Sequence, residues 1–271
     1  MSTSVPRAKA DFRTRYGPWA AVTGATSGIG EAFALDLARR GLDLVLVARN
    51  AEALATLAAS PALAGRQTRV IAADLSTLEG IEAVRRATAD LEVGLLVAAA
   101  GFGTSGLFLD ADAATEREMV QVNCLAVLDL CRHFAPAMAR RGRGGLVLMS
   151  SLVGRQGTPY AVSYAASKAW VHVLAEGLNA ELKSSGVDVI ACAPGPVRSG
   201  FAERAGLRMG LADRPRDVAR PTLSALGRKR LIAPGPVSKL LTWSLATAPR
   251  PLRGRILGGV MRGMAKGPGR P

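Results

Sequence analysis

A chain of 271 residues that is 49% apolar and 21% charged can bury a substantial core, which excludes intrinsic disorder and favours one α/β domain. Three cysteines, Cys124, Cys131 and Cys192, supply neither a disulfide framework nor a metal-type cluster, so a reducing cytoplasm is the expected setting. The net charge of +14 is uneven: eleven Lys or Arg and no Asp or Glu follow Asp217, so 24 basic against 21 acidic residues leave only +3 for residues 1–217. That acid-free fifth reads either as a solvated tail or as a surface for anionic lipid, nucleic acid or a phosphate-bearing substrate such as an acyl-CoA.

Residues 1–16 carry Arg7, Lys9, Arg13 and Arg15 with no apolar core behind them and read as a loose basic tail, not a secretory signal. Strand-like apolar runs then fall at 19–23, 43–48, 69–73, 94–98, 145–150 and 187–192, alternating with longer helical patterns. Their near-continuous apolar character suits parallel strands buried on both faces. The predicted architecture is a single Rossmann-type α/β domain: a doubly wound parallel sheet with helices on both faces and right-handed crossovers.

Residues 197–215, after Pro194-Gly195-Pro196, lack a strand signal and are expected to form a flexible lid over the substrate. An edge strand is expected at 231–233. Helical spacing of Leu240, Leu241, Trp243 and Leu245 marks 237–248, and the last 22 residues are rich in Pro, Gly and Arg. No stretch reaches the roughly 18 uninterrupted apolar residues that span a bilayer. The expected division is a tail at 1–16, a catalytic domain at 17–235, and a basic C-terminal helix and tail at 236–271.

The first strand runs straight into Thr23-Gly24-Ala25-Thr26-Ser27-Gly28-Ile29-Gly30 and a helix over 31–40. In that order, glycines let the backbone approach a pyrophosphate, and the helix N-terminus offers it free N–H groups and partial positive charge. The simpler alternative is an ordinary tight turn. Ala48-Arg49 ends the second strand where a carboxylate would select a ribose 2′-hydroxyl. A guanidinium there pairs with a 2′-phosphate instead, so NADP(H) is expected over NAD(H). Asp74-Leu75 is placed to hold the adenine edge, although Asp74 could equally cap a helix starting near Thr77.

Tyr164 and Lys168 share one face of a helix expected over 160–183. A phenol titrates near 10, so acid/base work at neutral pH needs an adjacent ammonium. Ser151, at the end of a buried strand, can stabilise charge developing on a carbonyl oxygen. Together these residues predict an oxidoreductase in which nicotinamide passes hydride to a ketone while Tyr164 protonates the oxygen.

From Trp19 to about Phe201 the pattern resembles the classical short-chain dehydrogenase/reductase family. The resemblance implies a catalytic tetrad of Asn123, Ser151, Tyr164 and Lys168, with Asn123, in Val122-Asn123, holding a water that links Lys168 to solvent. It adds Ala100, Gly101, Tyr164, Lys168, Pro194, Gly195, Val197 and Ser199 to the cofactor-binding residues. Ser199 stands where the family has Thr, and Ala98-Ala99 where it usually has Asn-Asn, which removes a structural hydrogen bond. Tyr16-Gly17-Pro18-Trp19-Ala20, the 47–49 strand ending and the Pro234-Gly235 turn resemble the branch of hydroxysteroid dehydrogenases and long-chain 3-ketoacyl reductases. That branch often carries an N-terminal membrane anchor, which residues 1–16 do not resemble.

The resemblance further implies a homodimer or homotetramer formed through the helices bearing Asn123 and Tyr164. Phe102, Leu107, Phe108, Phe201 and Leu207 favour a hydrophobic ketone or acyl substrate. His133 and His172 are expected to be ordinary helix residues, Cys124 and Cys131 packing groups, Trp170 a packed side chain and Tyr160 a core seal. The helix around Trp243 either touches an anionic membrane or packs on the protein, and nucleic acid is not the expected partner. The competing function is a catalytically silent NADP(H)-binding scaffold whose basic tail binds a partner.

Overall fold

The computed structural model describes residues 11–207, 210–246 and 249–264. Arg7 and Lys9 of the basic tail, positions 208–209 of the lid and the last seven residues lie outside that set. In chain order the elements are α1 Phe12–Tyr16, β1 Trp19–Thr23, α2 Gly28–Arg39, β2 Asp43–Ala48, α3 Ala51–Ala58, β3 Thr68–Ala72, α4 Leu78–Ala87 and β4 Val93–Ala98. There follow α5 Ala113–Val120, a π-helical turn Gln121–Leu125, α6 Ala126–Arg141, β5 Gly144–Met149, α7 Val162–Leu182, β6 Val187–Cys192, α8 Phe201–Arg204, α9 Pro215–Ala225, β7 Leu231–Ile232, α10 Pro236–Ala246 and α11 Arg250–Met264.

All seven strands pair in parallel, in the order β3-β2-β1-β4-β5-β6-β7. The order reverses between β1 and β4, so the crevice at their carboxyl ends is the place where this architecture seats ligands. Alternate strand residues feed two cores. Ala20, Val22, Leu44 and Leu46 pack with Phe33, Leu37 and Leu54 on one face. Ala21, Val45 and Val47 pack with Ile81, Leu130 and Met138 on the other.

Residues 11–16 depart from the loose tail read in the sequence. Tyr16 is buried, and its hydroxyl donates to Asp188 Oδ2 at 2.7 Å while Arg15 Nε donates to the same oxygen at 2.6 Å. Arg13 Nη1 donates to the Gly41 carbonyl at 2.6 Å. These contacts turn a short basic segment into a clamp across β6, which composition alone does not reveal.

The 197–215 segment, expected to be a flexible lid, is fastened at both ends. Val197 bridges Asp213, and the buried Asp213 carboxylate accepts from the Val237 and Ser238 N–H groups at the start of α10. A carboxylate there offsets the helix's positive end. The Arg- and Gly-rich terminus forms the second helix, α11, where the sequence suggested a tail. Gly254 and Gly258 allow it to lie against the chain: a Cβ on them would come within 3.0 Å of the Gly157 carbonyl and 2.9 Å of the Pro159 ring.

Two smaller expectations change. Trp170 is 37% exposed rather than packed. Thr77, not Asp74, caps α4, its hydroxyl accepting from Gly80 N–H at 3.0 Å, while Asp74 Oδ1 accepts from the Ser76 N–H and hydroxyl.

Candidate active site

The loop between β1 and α2 needs its glycines for geometric reasons. Gly24 and Gly28 sit at φ +65° and +56°, where a side chain is strained. Gly30 leaves no room for one, because a Cβ would stand 2.1 Å from the Gly24 carbonyl oxygen. A Cβ on Gly28 would meet Ser199 Cβ at 2.8 Å, so the Pro-Gly segment after β6 closes directly over the loop. Thr23 is buried, and its hydroxyl accepts from the Ala100 N–H at 3.0 Å, tying β1 to the turn after β4.

These parts open into a cavity of about 700 Å³. Gly24, Ser27, Gly28, Ile29, Gly30 and Arg49 line it, with Ala100, Gly101, Ser151, Tyr164, Lys168, Pro194, Gly195, Val197 and Ser199. Of the expected cofactor residues, Thr23, Thr26, Asp74 and Leu75 lie outside its walls. The features present fit a dinucleotide: a helix N-terminus behind a glycine cradle, with the Arg49 guanidinium on the same wall. A second arginine not singled out in the sequence joins them. Arg204, on α8, stacks 3.8 Å above the Phe102 ring, and its Nη2 is 3.0 Å from Glu118 Oε1, which also faces Arg49 Nη1 at 3.7 Å.

Ser151 follows β5, and Tyr164 and Lys168 rise on α7. Lys168 is buried, and its Nζ donates to the Met149 carbonyl at 2.9 Å, 5.9 Å from the Tyr164 ring centroid. Burial lowers Lys168 to about 8 and pushes Tyr164 up to about 12, the nearby Ser151 hydroxyl acting in the opposite direction on the phenol. The Ser151 hydroxyl stands beside the Tyr164 phenol and makes a long contact of 3.5 Å to the Pro194 carbonyl.

Asn123 lies in the π-helical turn between α5 and α6, where one widened turn faces its amide inward. Its Oδ1 accepts from Phe102 N–H, and its Nδ2 donates to the Phe102 carbonyl and to Ser167 Oγ. Asn123 therefore holds the loop after β4. Asn123 and Lys168 both crowd the bare Cα of Gly101, where a Cβ would stand 2.6 Å from Asn123 Oδ1 and 3.3 Å from Lys168 Nζ.

Beyond Tyr164 the cavity is apolar. Phe102, Phe201 and Leu207 line it as expected, but Leu107 and Phe108 are exposed and do not. Their places are taken by Leu152, Val153 and the α11 residues Ile256, Leu257, Val260, Met261 and Met264, which the sequence reading missed. Their spacing on one helical face was the available signal, obscured by the surrounding glycines and arginines. His133 bonds Thr88, His172 faces Glu176, and the three cysteines are buried; among the described residues no group of side chains suits a metal ion.

The sequence pattern of the short chain dehydrogenase family matches residues 18–209. A 7beta-hydroxysteroid dehydrogenase of Clostridium sardiniense is 37% identical over 68% of this chain and 71% of its own length. A very-long-chain 3-oxoacyl-CoA reductase of Anas platyrhynchos is 38% identical over 66% of this chain and 59% of its own, so the match spans less than two thirds of that relative. Among solved structures, a 7beta-hydroxysteroid dehydrogenase superposes with a TM-score of 0.84 at 26% identity, covering 92% of this chain and 100% of its own. A short-chain dehydrogenase from Sphingobium yanoikuyae in complex with NADPH gives 0.75 at 31% identity, over 91% and 94% of the two chains. The chain belongs to the short-chain dehydrogenase/reductase family, oxidoreductases that act on CH–OH and C=O groups with a nicotinamide cofactor.

Proposed function

We propose that the protein is an NADP(H)-preferring reductase of hydrophobic ketones, with Ser151, Tyr164, Lys168 and Asn123 as its working residues. The observation that carries this reading is one cavity that joins a glycine loop and Arg49 to Tyr164 and then to an apolar chamber roofed by α11. The bound cofactor supplies or accepts the hydride. Ser151 holds the substrate oxygen, Tyr164 donates its proton to it, and the Lys168 ammonium stabilises the phenolate left behind. Asn123 fixes the loop after β4 that carries Gly101 and Phe102.

The relatives' names, a hydroxysteroid dehydrogenase and a very-long-chain 3-oxoacyl-CoA reductase, support a bulky apolar substrate. The expected adenine contact through Asp74 and Leu75, and a supporting role for Thr26, belong to the same reading. A homo-oligomer formed through α5, α6 and α7 would cover Val120, Leu125, Val162, Trp170 and Val173, apolar side chains that are otherwise exposed. The exposed Trp243 and Leu240 of α10, beside the acid-free segment, support a peripheral contact with anionic membrane from a cytoplasmic setting. Among the described residues no helix is long and apolar enough to cross a membrane.

The test is NADPH oxidation with a panel of steroid ketones and 3-oxoacyl thioesters, comparing the native chain with Tyr164→Phe. Turnover that falls by roughly 10²-fold or more in the variant supports the assignment. Nucleotide binding without turnover on any ketone or alcohol would replace it with the scaffold reading.

A further inference from the structure

The Pro-Gly segment after β6 is held on both edges of a single peptide unit. The Pro194 carbonyl accepts from the Leu152 N–H at 3.0 Å and lies 3.5 Å from the Ser151 hydroxyl, while the N–H of the same unit, on Gly195, donates to Ser238 Oγ at 2.7 Å. Carbonyl and N–H point to opposite edges of a planar trans peptide. The two bonds therefore fix its plane between the turn that follows Ser151 and the first turn of α10. Space is tight on both sides: a Cβ on Gly195 would stand 3.1 Å from Ser238 Oγ and 3.2 Å from Leu152 Cδ1.

Behind Ser238 stands Asp213. Both are buried, and the Ser238 hydroxyl donates to Asp213 Oδ2 at 2.9 Å. An ionised carboxylate accepts and never donates, so it draws the hydroxyl proton to itself and leaves an oxygen lone pair for the Gly195 N–H. Asp213 grips the segment through its backbone as well. Its N–H donates to the Pro196 carbonyl and its carbonyl accepts from the Arg198 N–H, each at 2.9 Å. Gly235 is bare where the carboxylate lies, since a Cβ there would stand 2.2 Å from Asp213 Oδ2.

Capping α10 does not by itself call for a buried charge, because a serine or asparagine caps a helix at lower desolvation cost. The charge does more than cap. Hydrogen bonds in a chain polarise one another, so the anion strengthens the hold of Ser238 on the Gly195 N–H, and with it the pull of the Pro194 carbonyl on the Leu152 N–H. Pro194, Gly195, Pro196 and Val197 all line the cavity beside Ser151 and Leu152, whereas neither Asp213 nor Ser238 does.

We propose that Asp213 and Ser238 are positioning residues for the reaction: acting through the Pro194–Gly195 peptide, they set the wall that the nicotinamide end of the cofactor meets and hold it in register with Ser151. The inference rests on the reading of the Pro-Gly segment as the nicotinamide wall.

The test is titration of the full chain with NADPH, followed by nicotinamide fluorescence, and with 2′,5′-ADP, followed by calorimetry. The second ligand carries the adenosine 2′-phosphate without the nicotinamide. Ser238→Ala is expected to weaken NADPH by about 5–10-fold, the equivalent of one lost hydrogen bond, and to leave 2′,5′-ADP within about twofold of the native chain. Asp213→Asn, which keeps the side-chain shape and gives up the charge, should move NADPH in the same direction. A general slackening of the fold weakens both ligands alike, and that outcome overturns the proposal, as does native NADPH affinity in Ser238→Ala. Native affinity in Asp213→Asn overturns it for Asp213. Should the variants melt far below the native chain, amide exchange of the nucleotide-free native protein decides: the Gly195 N–H is expected to be protected, and exchange at the rate of a free loop amide overturns the proposal. A native chain that binds neither ligand removes the cofactor reading and this inference with it, whereas equal ratios in native chain and variants remove this inference alone.

Discussion

Lys168 addresses Tyr164 through space: its Nζ lies 5.9 Å from the phenol ring centroid while its hydrogen bond goes to the Met149 carbonyl. The ammonium therefore acts on the phenol by its charge, and that charge is lost as Lys168 titrates. Burial brings Lys168 down to about 8 and Tyr164 up to about 12. Reduction needs a protonated phenol and a charged lysine, so both are ready below pH 8. We expect kcat/KM for ketone reduction, at saturating NADPH, to fall as pH rises through about 8. Lys168→Arg, which keeps its charge, should lower the rate but move this limb upward. A limb that stays in place would assign it to another group.

The same burial weighs on stability. The folded pKa of Lys168 is lowered from 10.5 to about 8, so between those values the unfolded chain binds the extra proton and stability rises with pH. Below pH 8 both states are protonated, and the folded state carries the whole desolvation cost, about 3 kcal/mol at 1.36 kcal/mol per pH unit. Lys168→Met should therefore stabilise at pH 7 by about 1–2 kcal/mol, after the lost hydrogen bond to Met149 is allowed for. Tm would rise by roughly 2–4 °C per kcal/mol while activity disappears. A fall in Tm would make Lys168 a structural support.

Arg49 and Arg204 both face Glu118 and lie within electrostatic reach of Asp74, so the cofactor end already holds two cations and two carboxylates. Arg49→Asp replaces an attraction for a 2′-phosphate by a repulsion, worth roughly 2–4 kcal/mol between the two charge states. Nicotinamide fluorescence titration should show NADPH bound more tightly than NADH by the native chain, with the order inverted in the variant. Equal affinities in the native chain would remove the assigned selectivity.

The strands and the glycine loop were legible because burial on both faces leaves an uninterrupted apolar run, as in Leu44 to Val47, and because φ angles such as that of Gly24 admit few residues. Tyr164 and Lys168 were legible because helical spacing places them on one face. Arg155, Arg204 and Arg253 were not, since nothing local separates a cavity-lining arginine from a solvated one. They reach one cavity only when distant segments meet: Arg155 follows β5 while Arg253 sits on α11. The helix α11 itself was hidden by Gly254 and Gly258, residues of low helix propensity that here serve close packing against Pro159. Arg13 and Arg15 misled in the opposite sense, because a charge-rich terminus reads as solvated until Asp188 and the Gly41 carbonyl are seen to receive it.

Two glycine substitutions separate the functional cradle from incidental glycine. In Gly30→Ala the new methyl would lie 2.1 Å from the Gly24 carbonyl oxygen, so the loop must shift, and NADPH affinity should fall by well over about tenfold with a loss of stability of roughly 1–3 kcal/mol. Gly177 is exposed inside α7, with nothing within 4 Å of the position its Cβ would occupy. Gly177→Ala should therefore stabilise by about 0.5–1 kcal/mol through backbone entropy and leave the site untouched. Denaturant melts and NADPH titrations on the two variants check both statements. Should Gly30→Ala bind NADPH normally, the β1–α2 loop would be an ordinary turn and the nucleotide would have to be held elsewhere. Should Gly177→Ala destabilise, the outer face of α7 would be packed against a second copy of the chain, since within one copy that position is open.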